Sequence, residues 1–241
     1  MANILGIIPA RLDSTRLPEK MLADVHGKPL IYYTWHQAKQ AKLLSQLIIA
    51  TDSKKIADVV KAFGGEIVMT SSNHQSGTDR VAEAACRYSH EIILNIQGDE
   101  PVISPSAIDA AIKLLMDDPD AIMGTVATPF RAGEDIAYPG SAKVVLDKNN
   151  YALYFSRFPI PFARNPFANY LKQVAVYSFR RDFLLTYASL PQGPLEQAES
   201  LEYLRALENG YRIKVVIGDF QSISVDYAED LERVRKLLVK Q

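Results

Sequence analysis

Three cations follow the first apolar run of this chain. Ile4-Leu5-Gly6-Ile7-Ile8 reads as a buried strand, and Arg11, Arg16 and Lys20 lie in the loop after it. A loop of small and cationic residues at a strand's carboxyl end is a ligand position in α/β sheets. These side chains can converge on one polyanion, such as a nucleoside triphosphate; a solvated loop with scattered charge is the alternative. A second group, Asn95-Ile96-Gln97-Gly98-Asp99-Glu100-Pro101, ends the most apolar run of the sequence. Asp99, freed by Gly98, can reach a hard divalent cation such as Mg²⁺, which takes carboxylate oxygens and bridges to phosphates. Otherwise it caps the helix that starts near Ser104, although Ser104 itself supplies a cap. Asp226, just ahead of the last helical pattern, has the same two readings.

Ser76-Gly77-Thr78-Asp79-Arg80 opens a helix with small residues whose backbone N–H groups can meet a base or phosphate. Arg80 in the first turn opposes the helix dipole, which a ligand would explain; a plain capping box is the alternative. Arg157, just past the apolar Tyr154-Phe155, is a carboxylate clamp or a surface ion-pair partner. Tyr177 and the acidic stretch around Glu199, Glu202 and Glu208 can contact a polyol, or those glutamates are solvated helix surface. The four histidines do not stand with acids or cysteine at zinc spacing. Neither a Gly-x-Ser-x-Gly elbow nor a Gly-x-x-x-x-Gly-Lys loop occurs, which argues against a hydrolase triad and a P-loop.

The elements that must position these residues alternate. Strand-like runs at 45–50, 66–70, 91–96 and 122–128 are separated by helical patterns at 54–63, 77–88 and 106–116, the first of them stopped by Gly64-Gly65. That rhythm predicts a Rossmann-like, mostly parallel sheet flanked by helices. After Pro129 the rhythm changes. Strand-like runs at 142–146, 152–155 and 171–179 surround the Pro-rich segment 158–166, which suits a strand-rich subdomain or dimer arm spanning about 130–180. Helices at 181–188 and 194–208, a strand at 212–217 and a helix at 228–239 complete the pattern.

Composition bounds the rest. A chain of 241 residues holds one large α/β domain, or a main domain with a small appendage. A net charge of −1 argues against nucleic-acid binding through bulk charge. The single cysteine, Cys86, excludes an internal disulfide, reads as packed inside a helix and fits a reducing compartment. No apolar run approaches the ~20 residues of a membrane span and no signal-like leader precedes the first strand, so a cytoplasmic protein is expected.

Taken in order, Ile8-Pro9-Ala10-Arg11, Ser14-Thr15-Arg16-Leu17-Pro18-Glu19-Lys20, Ser76-Gly77-Thr78-Asp79-Arg80, Gln97-Gly98-Asp99-Glu100-Pro101, Tyr154-Phe155-Ser156-Arg157 and Val225-Asp226 resemble the CMP-Kdo synthetases. These are the 3-deoxy-manno-octulosonate cytidylyltransferases of lipopolysaccharide synthesis, and the likeness runs nearly end to end. It implies a nucleotide-diphospho-sugar-transferase-like α/β fold, a homodimer, and use of CTP with Mg²⁺. It also implies attack of the sugar's anomeric hydroxyl on the α-phosphorus of CTP, with release of pyrophosphate. Carried onto this sequence, nucleotide contacts fall on Pro9, Ala10, Arg11, Ser14, Arg16, Lys20, Ser76, Arg80, Gln97 and Asp99. Metal ligands fall on Asp99 and Asp226, and the sugar-acid clamp on Arg157 and Tyr177; Gln173, Glu202 and Tyr203 are further sugar-contact candidates of this chain. Arg11, Arg16, Lys20, Asp99 and Asp226 are the implied catalytic set. Two positions depart from the family: Gln173 stands where histidine is common, and Tyr203 where glutamine is common. A modified acceptor, such as an 8-amino sugar acid, and a CTP-binding inactive paralogue are the alternatives.

Overall fold

The computed structural model describes residues 3–14, 16–165, 167 and 169–239; Thr15 of the first loop and Pro166 of the Pro-rich segment lie outside them. The first apolar run is strand β1, Ile4–Ala10, buried throughout. Its side chains alternate as a pleat requires: Leu5 and Ile7 enter one core layer, and Ile4, Ile8 and Ala10 the other. A strand with both faces covered needs parallel neighbours and helices on each side. β4 (Gln46–Thr51) and β6 (Ile92–Ile96) flank β1 in parallel, and β5 (Glu66–Met69) extends the sheet beside β4. Between β1 and β4 come the small hairpin β2 (Asp24–Val25) with β3 (Lys28–Pro29), and helix α1 (Leu30–Ala38).

On the other side of β6 the sheet reverses. β10 (Leu171–Arg180) pairs antiparallel with β6 and with β7 (Met123–Pro129), and β11 (Lys214–Ile217) pairs parallel with β7. β8 (Lys143–Leu146) and β9 (Ala152–Ser156) form a hairpin attached to the start of β10. Among the described residues these nine strands make one sheet, ordered β11-β7-β10-β6-β1-β4-β5 along its main path. Helices α2 (Lys54–Ala62) and α4 (Pro105–Asp117) join α1 on one face. α3 (Gly77–Ala85), α5 (Arg181–Ser189) and α7 (Leu204–Glu208) contribute to the other core layer. The short α6 (Pro194–Glu199) precedes α7, and α8 (Ala228–Leu238) packs Leu231 and Val234 with Val25 and Leu30.

Several elements differ from expectation. Helix α1 carried no local signal: Leu30-Ile31-Tyr32-Tyr33-Thr34-Trp35 is poor in strong helix formers, and no side chain caps it. It stands because Leu30, Ile31, Thr34, Trp35 and Ala38 are buried. The single helix expected over 194–208 is two, broken where Ser200 turns left-handed at φ 50°. α3 stops at Ala85, so Cys86 is not packed inside a helix but exposed at its C-terminal cap. Ser104 sits at the N-cap of α4 without capping it; its hydroxyl is buried and has no partner among the described residues.

Candidate active site

The parallel strands β1, β5 and β6 end on the same side, and the loops beyond them open a cleft of about 610 Å³, a ligand-sized volume. It is lined by Pro9, Ala10, Arg11, Ser14, Arg16 and Lys20 from the first loop, Ser76 and Arg80 from α3, Gln97 and Asp99 beyond β6, Asp226 before α8, and Arg157, Gln173, Tyr177, Glu202 and Tyr203 opposite, whereas the candidates Glu199 and Glu208 do not line it.

Two backbone constraints shape the floor. Gly98 lets β6 leave the sheet against β1, since a Cβ there would stand 2.8 Å from the Pro9 carbonyl oxygen. The chain before α8 then runs beside this exit, with Val225 N–H donating to the Asp99 carbonyl at 3.0 Å. The two acids are thereby brought to one cation. Lys20 Nζ lies 2.6 Å from Asp99 Oδ2 and 3.5 Å from Asp226 Oδ1, and Arg16 Nη2 lies 3.2 Å from Asp226 Oδ1. Asp226 is not the cap of α8: Tyr227 takes that position in a capping box with Asp230. Asp99 does not cap α4, whose N-cap is Ser104. Arg11 is exposed at the rim and takes part in no ion pair among the described residues.

Glu100 was missed as a site residue. It is 2 % exposed, lines the cleft beside Asp99 and accepts from Ser222 Oγ. Burial, aided by the Asp99 and Asp226 charges, pushes its carboxyl up to about 8, so it keeps its proton at neutral pH.

Arg80 has a local explanation as well as a place in the cleft. Its buried guanidinium donates to Thr70 Oγ1 at 2.6 Å and pairs with Asp52 at 3.0 Å, tying the first turn of α3 to the ends of β4 and β5. Ser76 caps α3 by accepting from Asp79 N–H at 3.1 Å. The acids of the 199–208 stretch are not solvated helix surface. Glu202 accepts from Thr78 N–H at 3.2 Å and Gln97 Nε2 at 3.0 Å, bridging the two ends of the cleft, and burial raises its carboxyl above the usual range. Glu208 caps α6 through Leu195 and Glu196 N–H. Behind them the buried Arg205 binds Glu196 at 2.7 Å and Asp79 at 3.0 Å, fastening α6 and α7 to α3.

Arg157 faces the cleft but is not a surface ion-pair partner. Nε donates to the Glu199 carbonyl at 2.7 Å, Nη1 to Pro139 at 2.8 Å and Nη2 to Ser200 at 3.2 Å. A guanidinium has five N–H donors, so two remain for an anion. Glu199 also accepts from Ser156 Oγ at 2.6 Å and Arg157 N–H at 2.8 Å. Tyr203 is buried between Phe155 and Tyr177, with ring centroids 4.5 and 5.3 Å away, and its hydroxyl makes no hydrogen bond of ordinary geometry among the described residues. Gln173 donates to Thr125 Oγ1 at 3.0 Å and to the Val174 carbonyl.

Comparison with known proteins gives a consistent picture. A cytidylyltransferase family model matches residues 5–214. The chain is 50 % identical to a 3-deoxy-manno-octulosonate cytidylyltransferase of Solibacter usitatus, over 98 % of this chain and 94 % of that one. Identity to the protein of the same name from Geobacter sulfurreducens is 47 %, covering 98 % and 99 %. A solved structure of CMP:2-keto-3-deoxy-manno-octonic acid synthetase complexed with CTP is 40 % identical and superposes with a TM-score of 0.92 over 99 % of both chains. The inositol-1-phosphate CTP transferase of T. maritima, at 17 % identity and a TM-score of 0.69, covers 100 % of this chain and 96 % of its own and shares the fold. The chain belongs to the cytidylyltransferase family, in the company of the 3-deoxy-manno-octulosonate cytidylyltransferases.

Proposed function

We propose that this protein transfers CMP from CTP to the anomeric hydroxyl of 3-deoxy-manno-octulosonate (Kdo) and releases pyrophosphate. The observation that carries this reading is the meeting of Asp99 and Asp226 at Lys20 Nζ, on the floor of a cleft rimmed by Arg11 and Arg16. Lys20, Arg16 and Arg11 bind the triphosphate and offset the charge that grows on it as the α-phosphorus is attacked. Pro9, Ala10, Ser14, Ser76 and Gln97 surround the nucleotide, and Arg80 sets the first turn of α3 against it.

Asp99 and Asp226 are hard oxygen donors that already converge on one cation, a set that fits Mg²⁺. These two residues would hold the ion, which when bound supplies charge neutralisation at the α-phosphate and acidifies the sugar hydroxyl. Arg157 offers its two remaining N–H donors to the sugar carboxylate, with Gln173, Tyr177, Glu202 and Tyr203 around the sugar. Little general-base work falls to histidine.

Of the expected arm at about 130–180, β10 stands inside the main sheet, so the dimer arm on this single catalytic domain is the Pro-rich segment between β9 and β10. Phe158 and Phe162, 73 % and 88 % exposed, support this reading; sedimentation giving only monomer at micromolar concentration would count against it. Among the described residues no helix is long and apolar enough to cross a membrane, and the reaction is assigned to the cytoplasm. The decisive assay is pyrophosphate release from CTP, Kdo and Mg²⁺. Folded protein that gives none above background would refute the proposal.

A further inference from the structure

Lys143, the first residue of β8, is wholly buried yet lies outside the wall of the cleft. Its Nζ donates to the Tyr138 carbonyl at 2.8 Å and to the Arg157 carbonyl at 2.7 Å. These acceptors belong to separate segments, the loop between β7 and β8 and the exit of β9. The loop carries the connection onward. Tyr138 Oη donates to Asp230 Oδ1 at 3.0 Å, and Asp230 Oδ2 accepts from the backbone N–H of Asp226 at 3.0 Å and of Tyr227 at 2.9 Å. Arg157 Nη1 closes the circuit on the Pro139 carbonyl. The Tyr138 ring lies over Gly140, where a Cβ would stand 2.4 Å from it, so the loop needs glycine to seat that ring.

Burying an ammonium is costly unless polar partners surround it, and an apolar side chain would fill the same space more cheaply. Burial also lowers the Lys143 amine to about 8. The charge earns its place by what it joins: one end of the circuit is the backbone of Asp226, the other is Arg157. We propose that Lys143 and Tyr138 are positioning residues that fix the spacing between Asp226, at the phosphate end, and Arg157, at the sugar end. This rests on the reaction proposed above, but its test is separable from it.

Tyr138→Phe removes one oxygen and leaves the ring on Gly140. Its kcat should fall about tenfold with KM for CTP within about twofold, since the reacting ends are misplaced while nucleotide contacts stay. Amide exchange at Asp226 and Tyr227 should quicken at least about fivefold, with α2 unchanged. Lys143→Met should also raise KM for the sugar acid, and adding Tyr138→Phe to it should cost less than the product of the two single effects. The proposal is overturned if Tyr138→Phe keeps parental kcat and exchange, if exchange rises equally in α2, if kcat falls with exchange at 226–227 unchanged, or if the two substitutions act independently. Should Lys143→Met fail to fold, the Tyr138→Phe measurements decide. A parent protein without turnover would refute the reaction, while the exchange data would still judge the strap.

Discussion

The two ends of the cleft are built differently. At the proposed phosphate end, parallel strands β1 and β6 stop at one edge, and the loops after them and the segment before α8 hold cations and acids that meet across the opening: Lys20 with Asp99 and Asp226, Arg16 with Asp226. At the sugar end the antiparallel β10, the β8–β9 hairpin and the broken α6–α7 pair supply side chains already committed to their own scaffold. Arg157 bolts three carbonyls, Gln173 binds Thr125 and Tyr203 is wedged between two rings. Substitutions at the first end should therefore change chemistry with little loss of fold, and those at the second should mix affinity with stability.

Asp99→Asn is the sharpest test of the first half. It keeps the shape, trades one acceptor oxygen for an amide donor, and removes a charge whose partners are Lys20 and the proposed ion. Turnover should fall on the order of 100-fold or more, with the melting temperature nearly unchanged. A variant within about threefold of the parent in steady-state rate would break the distinction.

Arg157→Ala tests the second half. The apparent KM for the sugar acid should rise about tenfold while that for CTP stays within about twofold, because the guanidinium faces the far end of the cleft. The melting temperature should also drop, since three carbonyls lose their donor. Equal weakening of both substrates in initial-rate kinetics would remove the reason for placing Arg157 at the sugar.

This contrast also explains what the sequence could reveal. The proposed phosphate end was largely legible because most of its residues stand at the ends of local elements: Arg11 after β1, Asp99 after β6, Ser76 at the cap of α3, Asp226 ahead of α8. Local patterning carries such information. The sugar end depends on distant pairings. Ser200 in a left-handed turn, Glu202 folded onto Thr78 and Arg205 buried against Asp79 have no local signature, so the acidic 199–208 stretch resembled a solvated helix. Helix α1 was invisible for a related reason, as it is held by burial rather than propensity. Glu100 escaped notice because the Pro after it suggested a simple stop, whereas Ser222, 122 positions away, completes its setting.

Glu100 gives the comparison a pH axis. Its folded-state value near 8 exceeds the unfolded one, so below pH ~4 both states hold the proton and nothing is lost. As pH rises to 8 the unfolded chain releases the proton and the folded one retains it, and stability falls by up to about 4 kcal/mol. Glu100→Gln still accepts from Ser222 and escapes this loss. Its melting temperature, measured without nucleotide or metal, should match the parent near pH 4 and exceed it increasingly towards pH 8. A gap that stays constant with pH would mean that the carboxyl ionises normally in the fold.

The smallest effect is expected at Tyr203, and it separates packing from recognition. The ring is 3 % exposed and packed edge-on against Phe155 and tilted against Tyr177, so its contribution to stability is apolar. The hydroxyl makes no hydrogen bond of ordinary geometry among the described residues, and removing an unpaired buried hydroxyl costs nothing and can gain up to about 1 kcal/mol. Tyr203→Phe should therefore hold or raise the melting temperature. If the hydroxyl meets the sugar, KM for the sugar acid rises by about 3- to 10-fold while CTP is unaffected, the size of one hydrogen bond to a neutral group. Parental KM values for both substrates, with unchanged stability, would leave Tyr203 as a packing residue and shift recognition at that end onto Arg157 and Glu202.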